Sequence, residues 1–178
     1  MKKLNAILIL LFIGVTAFGQ TQTVQRAEPK KQDVAPFIKQ LADFKKTWAK
    51  TSKEKGTSYT LKSTVSSMIG KTITFMDIVE GKAVARNISF DYRGNNNPQS
   101  IIEKGDAVNK NRSGAKAKSM DEYILDAEKM LSDYQAGKIK GSLVFKAEGT
   151  TLMCLLTPYF IACHSGSGVR INSCEWKR

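Results

Sequence analysis

Apolar residues recur at helical spacing in the segment that follows residue 33. In DVAPFIKQLADFKKTWAK they stand four, three and four residues apart, at Phe37, Leu41, Phe44 and Trp48. Positions with this spacing share one face of an α-helix, and a proline such as Pro36 is tolerated in a first helical turn. The pattern predicts an amphipathic first helix with one face turned toward a core.

A second helix is predicted with both of its ends marked in the sequence. Ser119 followed by Glu122 is the pattern of a capping box, and Gly137 fits a left-handed C-terminal stop. Between them the apolar stripe again has helical spacing, at Tyr123, Ala127, Met130 and Tyr134. This second helix would cover a sheet in the same way as the first.

Segments with the alternating pattern of β-strands follow each helix. Three are predicted after the first helix, with a hairpin signal at Glu80-Gly81, in residues 58–65, 71–79 and 84–90. Four are predicted after the second helix, in residues 141–147, 150–156, 159–163 and 169–176. We therefore expect an α+β fold in the order helix, three strands, helix, four strands, with an antiparallel sheet of about six to seven strands covered by two amphipathic helices.

Asp77 stands at an unusual place in the second of these strands. It has the same strand parity as Ile73, Phe75 and Val79, so it would point toward the core with them. A buried carboxylate is costly unless it is paired. We expect that Asp77 either marks a pocket or lies at a β-bulge beside the turn, and the bulge is the favoured interpretation.

The stretch from Arg93 to Lys118 is rich in asparagine, glycine and lysine and poor in large aliphatic residues. This composition predicts a polar surface loop at 93–118, and a binding loop is the alternative. The mobile surface loop is the favoured interpretation, because no aromatic or phosphate-cradling pattern accompanies the lysines.

Residues 1–19 have the layout of a secretory signal peptide. Lys2 and Lys3 precede an apolar run that ends in small residues, and cleavage is expected just before Gln20. The run is too short to span a bilayer comfortably, and no other stretch approaches the ~20 apolar residues of a membrane helix. We predict export to the periplasm or the medium, with no integral membrane segment after cleavage.

The rest of the chain divides into two parts. Residues 20–32 are polar and without periodicity, which predicts a disordered leader. Residues 33–178 have the length of one α+β domain with its own core. Loss of Lys2 and Lys3 lowers the formal net charge of the protein from +12 to +10, a balance that favours acidic partners.

The cysteines of the chain all stand in its last four predicted strands, at positions 154, 163 and 174. In an oxidising compartment such cysteines are more often structural than catalytic. In a meander Cys163 would oppose Cys174 across a hairpin centred on Gly168-Val169, or Cys154 across one centred on the Thr157-Pro158-Tyr159 turn. Glycines make the first hairpin easier to form, so the candidate disulfide is Cys163–Cys174, with Cys154 as the alternative partner.

Cys163 adjoins His164, the one histidine of the sequence. Adjacent residues in a strand point to opposite faces, so the imidazole would not lie along the thiol as a base. One histidine and three scattered cysteines also fit no usual zinc site. We therefore predict no catalytic residue, no cofactor-binding residue and no metal ligand.

Three stretches together carry a resemblance to a known family. They are YTLKSTV, KTITFMDIVEGKAVARN and SMDEYILDAEKMLSD, followed by a final set of strands. In these features the chain resembles a domain-of-unknown-function family of small exported bacterial proteins. The resemblance implies an exported α+β domain and supplies no catalytic residue.

Three functions are compatible with the sequence. The favoured one is an exported, non-catalytic binding or accessory module of the bacterial envelope or secretome, with an unknown protein partner. The alternative is a basic module that binds anionic glycans or lipid headgroups of the envelope. Nucleic acid is not expected as a partner, because the lysines are dispersed without aromatics between them. A hydrolase with an unrecognised site is the second alternative.

Export can be tested on the mature protein. We expect its N-terminus at Gln20 or within a few residues, because charged, apolar and small-residue regions stand in the order that signal peptidase recognises. N-terminal sequencing of protein from a fractionated cell measures this. Recovery of intact Met1 from the soluble cytoplasmic fraction would contradict export.

Overall fold

The structure, a computed structural model, describes residues 31–94, 99–157 and 167–177. Within these ranges the chain forms two α-helices, a short 3-10 helix at Gly105–Ala107 and eight β-strands. In chain order the main elements are α1 (Ala35–Lys55), β1 (Tyr59–Ser67), β2 (Gly70–Val79), β3 (Lys82–Tyr92), β4 (Gln99–Lys104), α2 (Met120–Gln135), β5 (Ser142–Glu148), β6 (Thr151–Thr157), β7 (Ser167–Ile171) and β8 (Ser173–Trp176). The α+β class is confirmed.

Every strand pairing is antiparallel, as predicted, but the strands form two sheets. The orders are β4-β3-β2-β1-β8 in the five-stranded sheet and β5-β6-β7 in the three-stranded sheet. The division arises at Asn172, because the predicted strand 169–176 is split into β7, which pairs with β6, and β8, which pairs with β1. The predicted strand 159–163 lies outside the described residues.

Both helices form where the hydrophobic spacing predicts them. α1 buries Leu41, Phe44 and Trp48. At the start of α2 the Ser119 side chain accepts a hydrogen bond from the Glu122 backbone N–H, and the Glu122 carboxylate accepts one from the Ser119 N–H. Gly137 follows α2 with a φ of 73°. The capping box and the left-handed stop are therefore confirmed.

One hydrophobic core joins the helices to both sheets. The Trp48 ring of α1 stacks on Trp176 of β8 at 5.1 Å between centroids and meets Tyr59 of β1 edge-on at 5.2 Å. Near the N-terminus of α1, Phe37 stacks on Phe145 of β5 at 5.3 Å between ring centroids. Because α1 contacts strands of both sheets, its apolar stripe holds the two sheets together.

The strand parity predicted for β2 is wrong. Met76 and Ile78 are fully buried, whereas Phe75 and Val79 are each 39% exposed. The pairing with β1 explains which face of β2 is buried. Met76 lies opposite Leu61 and Ile78 lies opposite Tyr59, and these two residues of β1 face the core. β2 is apolar on both faces, so the partner strand decides which face is buried.

Asp77 therefore lies on the outer face of the sheet, and it does so at a bulge. The β2–β3 register shifts between Asp77 and Ile78, which confirms the favoured interpretation. Its carboxylate accepts a hydrogen bond from the Thr60 hydroxyl at 2.7 Å and pairs with Lys177 at 3.2 Å. Partial burial raises the pKa of Asp77, but these two partners outweigh it and lower the pKa overall.

The predicted polar loop at 93–118 contains a strand and a buried ion pair. Residues 99–104 form β4 at the edge of the larger sheet. On its inner face Glu103 pairs with Arg86 of β3 at 2.6 Å, with side chains 6% and 1% exposed. The prediction of a loop is therefore wrong for residues 99–104, and residues 95–98 lie outside the described residues.

Backbone groups from the following segment complete the ion pair. The Arg86 guanidinium also donates to the carbonyl oxygens of Ala115 and Asn111, at 2.9 and 2.8 Å. The Glu103 carboxylate accepts from the backbone N–H groups of Asn109 and Asn111, at 2.9 and 2.6 Å. A segment poor in apolar residues is thus ordered by charge-assisted hydrogen bonds.

The ion pair can be tested with Arg86→Met. Removal of one partner of a buried pair costs about 3–5 kcal/mol, because the other charge stays buried and unpaired. We expect a melting temperature lower by roughly 10 °C in thermal denaturation followed by circular dichroism.

The double variant Arg86→Met/Glu103→Leu is the matched control. It leaves no unpaired charge and should recover part of the loss, but it should stay less stable than wild type because the backbone groups of Asn109, Asn111 and Ala115 lose their partners. Burial raises the pKa of Glu103, but the Asn111 and Asn109 N–H groups and Arg86 outweigh it and lower the pKa. A carboxyl with a lowered folded-state pKa stabilises the fold above its ordinary pKa of about 4.3 and stops doing so as pH falls through the folded value. Wild type should therefore lose more stability in acid than the double variant. Equal stability of single and double variants would contradict the role of the pair.

Candidate ligand-binding cleft

The two sheets separate where the last strand changes partner. Asn172 lies between β7 and β8, and its backbone N–H donates to the Lys62 carbonyl of β1 at 2.8 Å. Its side-chain oxygen accepts from the Thr64 N–H at 2.6 Å, and its carbonyl accepts from the Thr151 hydroxyl at 3.0 Å. Before Asn172 the chain runs along β6 instead. β1 and β7 therefore diverge from this residue and leave a gap between the sheets.

A cleft of about 310 Å³ opens in that gap. Its walls come from β1, the segment before α2, the first turns of α2, and strands β6 and β7. The residues that matter for its chemistry are Ser63, Lys116, Lys118, Tyr123, Asp126 and Arg170. The volume lies at the lower end of the range of small-molecule sites. We call this feature the Arg170 cleft.

Positive charge predominates in the Arg170 cleft. Lys118 pairs with Asp126 at 2.6 Å. Arg170 is half-buried and donates to the Thr64 carbonyl at 3.3 Å. Lys116 is exposed at the rim. Among the described residues neither Arg170 nor Lys116 forms an ion pair, so the cleft has two uncompensated cations.

Three residues with hydroxyl groups line the cleft, Ser63, Tyr123 and the exposed Ser167. Ser63 lies on the core-facing side of β1 and is 2% exposed. The Tyr123 hydroxyl donates to the Lys116 carbonyl and lies 3.3 Å from the Met76 sulfur. Burial, with the nearby Asp126 charge, raises the pKa of Tyr123 well above its usual range. The phenol therefore stays protonated and holds Lys116 in place.

The rest of the cleft wall is apolar. Val65 of β1, Leu155 of β6 and Ala115 before α2 contribute to it, and Leu155 is 6% exposed. A site with apolar walls and a few convergent polar groups has the composition of a small-molecule site. It offers binding groups of fixed charge together with apolar contact area.

The predicted cysteine site is not assembled in the way the sequence analysis expects. Gly168 and Val169, the expected centre of a hairpin, lie inside β7, and Val169 lies opposite Cys154. Cys174 lies opposite Leu61 on β1, in the other sheet. The hairpin argument is therefore wrong, because β7 and β8 run on as one line of chain instead of turning back.

Cys154 and Cys174 carry free, buried thiols. Burial raises the pKa of Cys154 to about 11 and, with the nearby Glu175 charge, that of Cys174 to about 12. Both thiols are therefore protonated at neutral pH and poor nucleophiles. Cys163 and His164 lie outside the described residues, so the pairing Cys163–Cys174 stays a prediction. Within the described ranges no cluster of three or more metal-binding side chains is present.

A second hollow of about 620 Å³ lies between the two helices. It is lined mainly by apolar side chains such as Ile38 and Leu131, and the Lys45–Glu128 ion pair at 2.7 Å lies at its edge. Its lysines, Lys45 and Lys46, are exposed. The Arg170 cleft is the better candidate, because its arginine is half-buried and has no ion pair among the described residues.

Comparison with known proteins adds no relative, since no family model, no curated protein and no solved structure matches the chain. The resemblance to exported proteins of unknown function stays a prediction. Among the residues that the structure describes, no helix has the length and apolar character needed to cross a membrane.

Sequence reasoning missed the residues of the Arg170 cleft. One signal was present: Arg170 stands between Val169 and Ile171, which are 2% and 0% exposed. A charged residue between two apolar strand residues is typical of an outer face, so this signal alone does not indicate a cleft. Arg170 lines a cleft only because β1 and β7 separate at Asn172.

Proposed function

We propose that this protein is an exported, non-catalytic binding module of the bacterial envelope or secretome, with the Arg170 cleft as its ligand site. The observation that carries the proposal is the cleft itself, which combines the cations Arg170 and Lys116, the Ser63 hydroxyl and an apolar wall. Export is supported by the signal-peptide pattern of residues 1–19.

The ionisable groups of the cleft favour binding over catalysis. Tyr123 has a raised pKa and is engaged with the Lys116 carbonyl, and Asp126 is paired with Lys118. General acid–base catalysis works best with a group whose pKa lies near the working pH. These groups instead present constant charges and dipoles, which orient a ligand.

A second candidate function is binding of anionic glycans or lipid headgroups. The observation that favours it is a row of exposed lysines on α1, Lys46, Lys50 and Lys53, none with an ion-pair partner among the described residues. Binding through such a row would weaken steeply with salt, because exposed charges are screened. Ligand binding in the cleft would depend less on salt.

From the sequence alone we propose that oxidation after export joins Cys163 to Cys174, with Cys154 as the alternative partner; the hairpin that favoured Cys174 does not form, so the two partners are now equivalent. In this step two thiols lose two protons and two electrons to an envelope disulfide, by thiol–disulfide exchange, and one sulfur–sulfur bond forms. Oxidising compartments of bacteria support this chemistry.

Peptide mapping under non-reducing conditions tests the cysteine pairing. We expect a peptide that joins Cys163 to Cys174 or to Cys154 in exported protein, and alkylation of the remaining buried cysteine only after unfolding, because burial keeps that thiol protonated. The Cys163→Ser variant is the control and should leave both Cys154 and Cys174 free. Alkylation of all three cysteines in unfolded, unreduced protein would contradict the disulfide.

The binding function is tested by blocking the cleft. Ser167 lies exposed at the cleft mouth, so Ser167→Trp should fill the opening without disturbing the core. The matched control is Ser100→Trp, at an exposed residue of edge strand β4. Each protein is incubated with the small-molecule fraction of a bacterial envelope extract, re-isolated, and analysed by mass spectrometry.

We expect a compound that is retained by wild type and Ser100→Trp but lost from Ser167→Trp. Retention of the same compounds by all three proteins would place binding outside the cleft. Retention of none would contradict a small-ligand function.

A further inference from the structure

We propose that the Arg170 cleft recognises an acid group, carboxylate or phosphate, on a small ligand whose remaining part is apolar. The proposal rests on the proposed function and names the chemistry of its ligand.

Arg170 has unused hydrogen-bonding capacity. A guanidinium carries five N–H donors in a planar fork that matches carboxylate and phosphate oxygens. Among the described residues Arg170 makes one side-chain hydrogen bond, to the Thr64 carbonyl at 3.3 Å. Its other donors lie in a half-buried residue that lines the cleft.

Arg86 has a structural role, and its hydrogen bonds differ from those of Arg170. Its Nε, Nη1 and Nη2 atoms all donate, to Glu103, Ala115 and Asn111, at 2.7 to 2.9 Å. A carboxylate compensates its charge directly. Arg170 has neither feature in the described part of the chain, so it has the donors and the charge that an external oxyanion would satisfy.

The surrounding charges favour an anion. Asp126, the acid of the cleft, is neutralised by Lys118 at 2.6 Å. Lys116 stands at the rim without an ion pair in the described residues. An incoming acid group would therefore meet Arg170 and Lys116 without repulsion from a free carboxylate.

Ser63 adds a donor next to the apolar wall. The residue is 2% exposed and lines the cleft, and no side-chain hydrogen bond of Ser63 is present among the described residues. Its hydroxyl can donate a hydrogen bond to a ligand oxygen that enters the cleft. Val65 and Leu155 would contact the apolar part of the ligand. The ligand is thus a small anion with an apolar body.

Titration with three probes of the same chain length tests this chemistry. Hexanoate carries a carboxylate, hexyl phosphate carries a phosphate, and hexanol is the uncharged control. We expect hexanoate or hexyl phosphate to bind in isothermal titration calorimetry, and hexanol to bind at least about tenfold more weakly. The acid that binds more tightly shows whether the cleft prefers a carboxylate or a phosphate. Equal binding of hexanol, or no binding of either acid at millimolar concentration, would overturn the proposal.

Two single-charge variants test the role of Arg170. Arg170→Gln removes the guanidinium and should weaken binding of the acid roughly tenfold to a hundredfold, in the range of hydrogen bonds to charged groups. Lys82→Gln removes one exposed cation at the β2–β3 turn, outside the cleft, and should leave the affinity unchanged. Thermal denaturation checks that both variants fold. Equal weakening by both variants would indicate a general charge effect and overturn the assignment.

The blocked variant separates failure of this proposal from failure of the proposed function. If Ser167→Trp abolishes binding of the acid while Arg170→Gln does not, the cleft is the site but the recognition of the acid group by Arg170 is wrong. If Ser167→Trp binds the acid as wild type does, the cleft is not the site and both proposals fail.

Discussion

The buried ion pair between Arg86 and Glu103 determines how the chain between β4 and α2 is ordered. That stretch has few apolar side chains, so hydrophobic burial alone would not offset the entropy of ordering it. The pair instead binds the stretch through the carbonyls of Ala115 and Asn111 and through two backbone N–H groups. Because Ala115 and Lys116 form one wall of the Arg170 cleft, the candidate site depends on a contact that lies inside the core.

The sequence predicts the elements whose causes are local. The capping box at Ser119 and the stop at Gly137 act within a few residues, and the stripe of α1 needs only its own periodicity. The inner face of β2 could not be predicted, because Phe75 and Met76 are both apolar and Leu61 of β1 decides between them. β4 was missed for a similar reason. Glu103 is ordered by Arg86, which is 17 residues away in sequence.

The cleft results from the order in which the strands pair, and no local sequence pattern predicts that order. Ser63, Lys116 and Arg170 come from three distant parts of the sequence, and each has an ordinary local context. They meet because one line of chain serves both sheets and changes partner at Asn172, whose side chain bonds to Thr64. A sequence reading that expects a single sheet has no reason to place a gap beside β1.

Among the described residues, Arg86 and Arg170 are the arginines that are not exposed, and their surroundings differ. Arg86 is satisfied within the chain, and its charge contributes order to a polar segment. Arg170 lies beyond the last pair of the β1–β8 ladder, Lys62 with Ser173, and it donates to the Thr64 carbonyl of β1. Arg170 is held on a β-strand, with one carbonyl to orient it and no carboxylate of the described chain to neutralise it, and these features support the proposal of an oxyanion ligand. Because Arg86 orders one wall of the cleft, the proposed recognition would depend on the charge pair in the core.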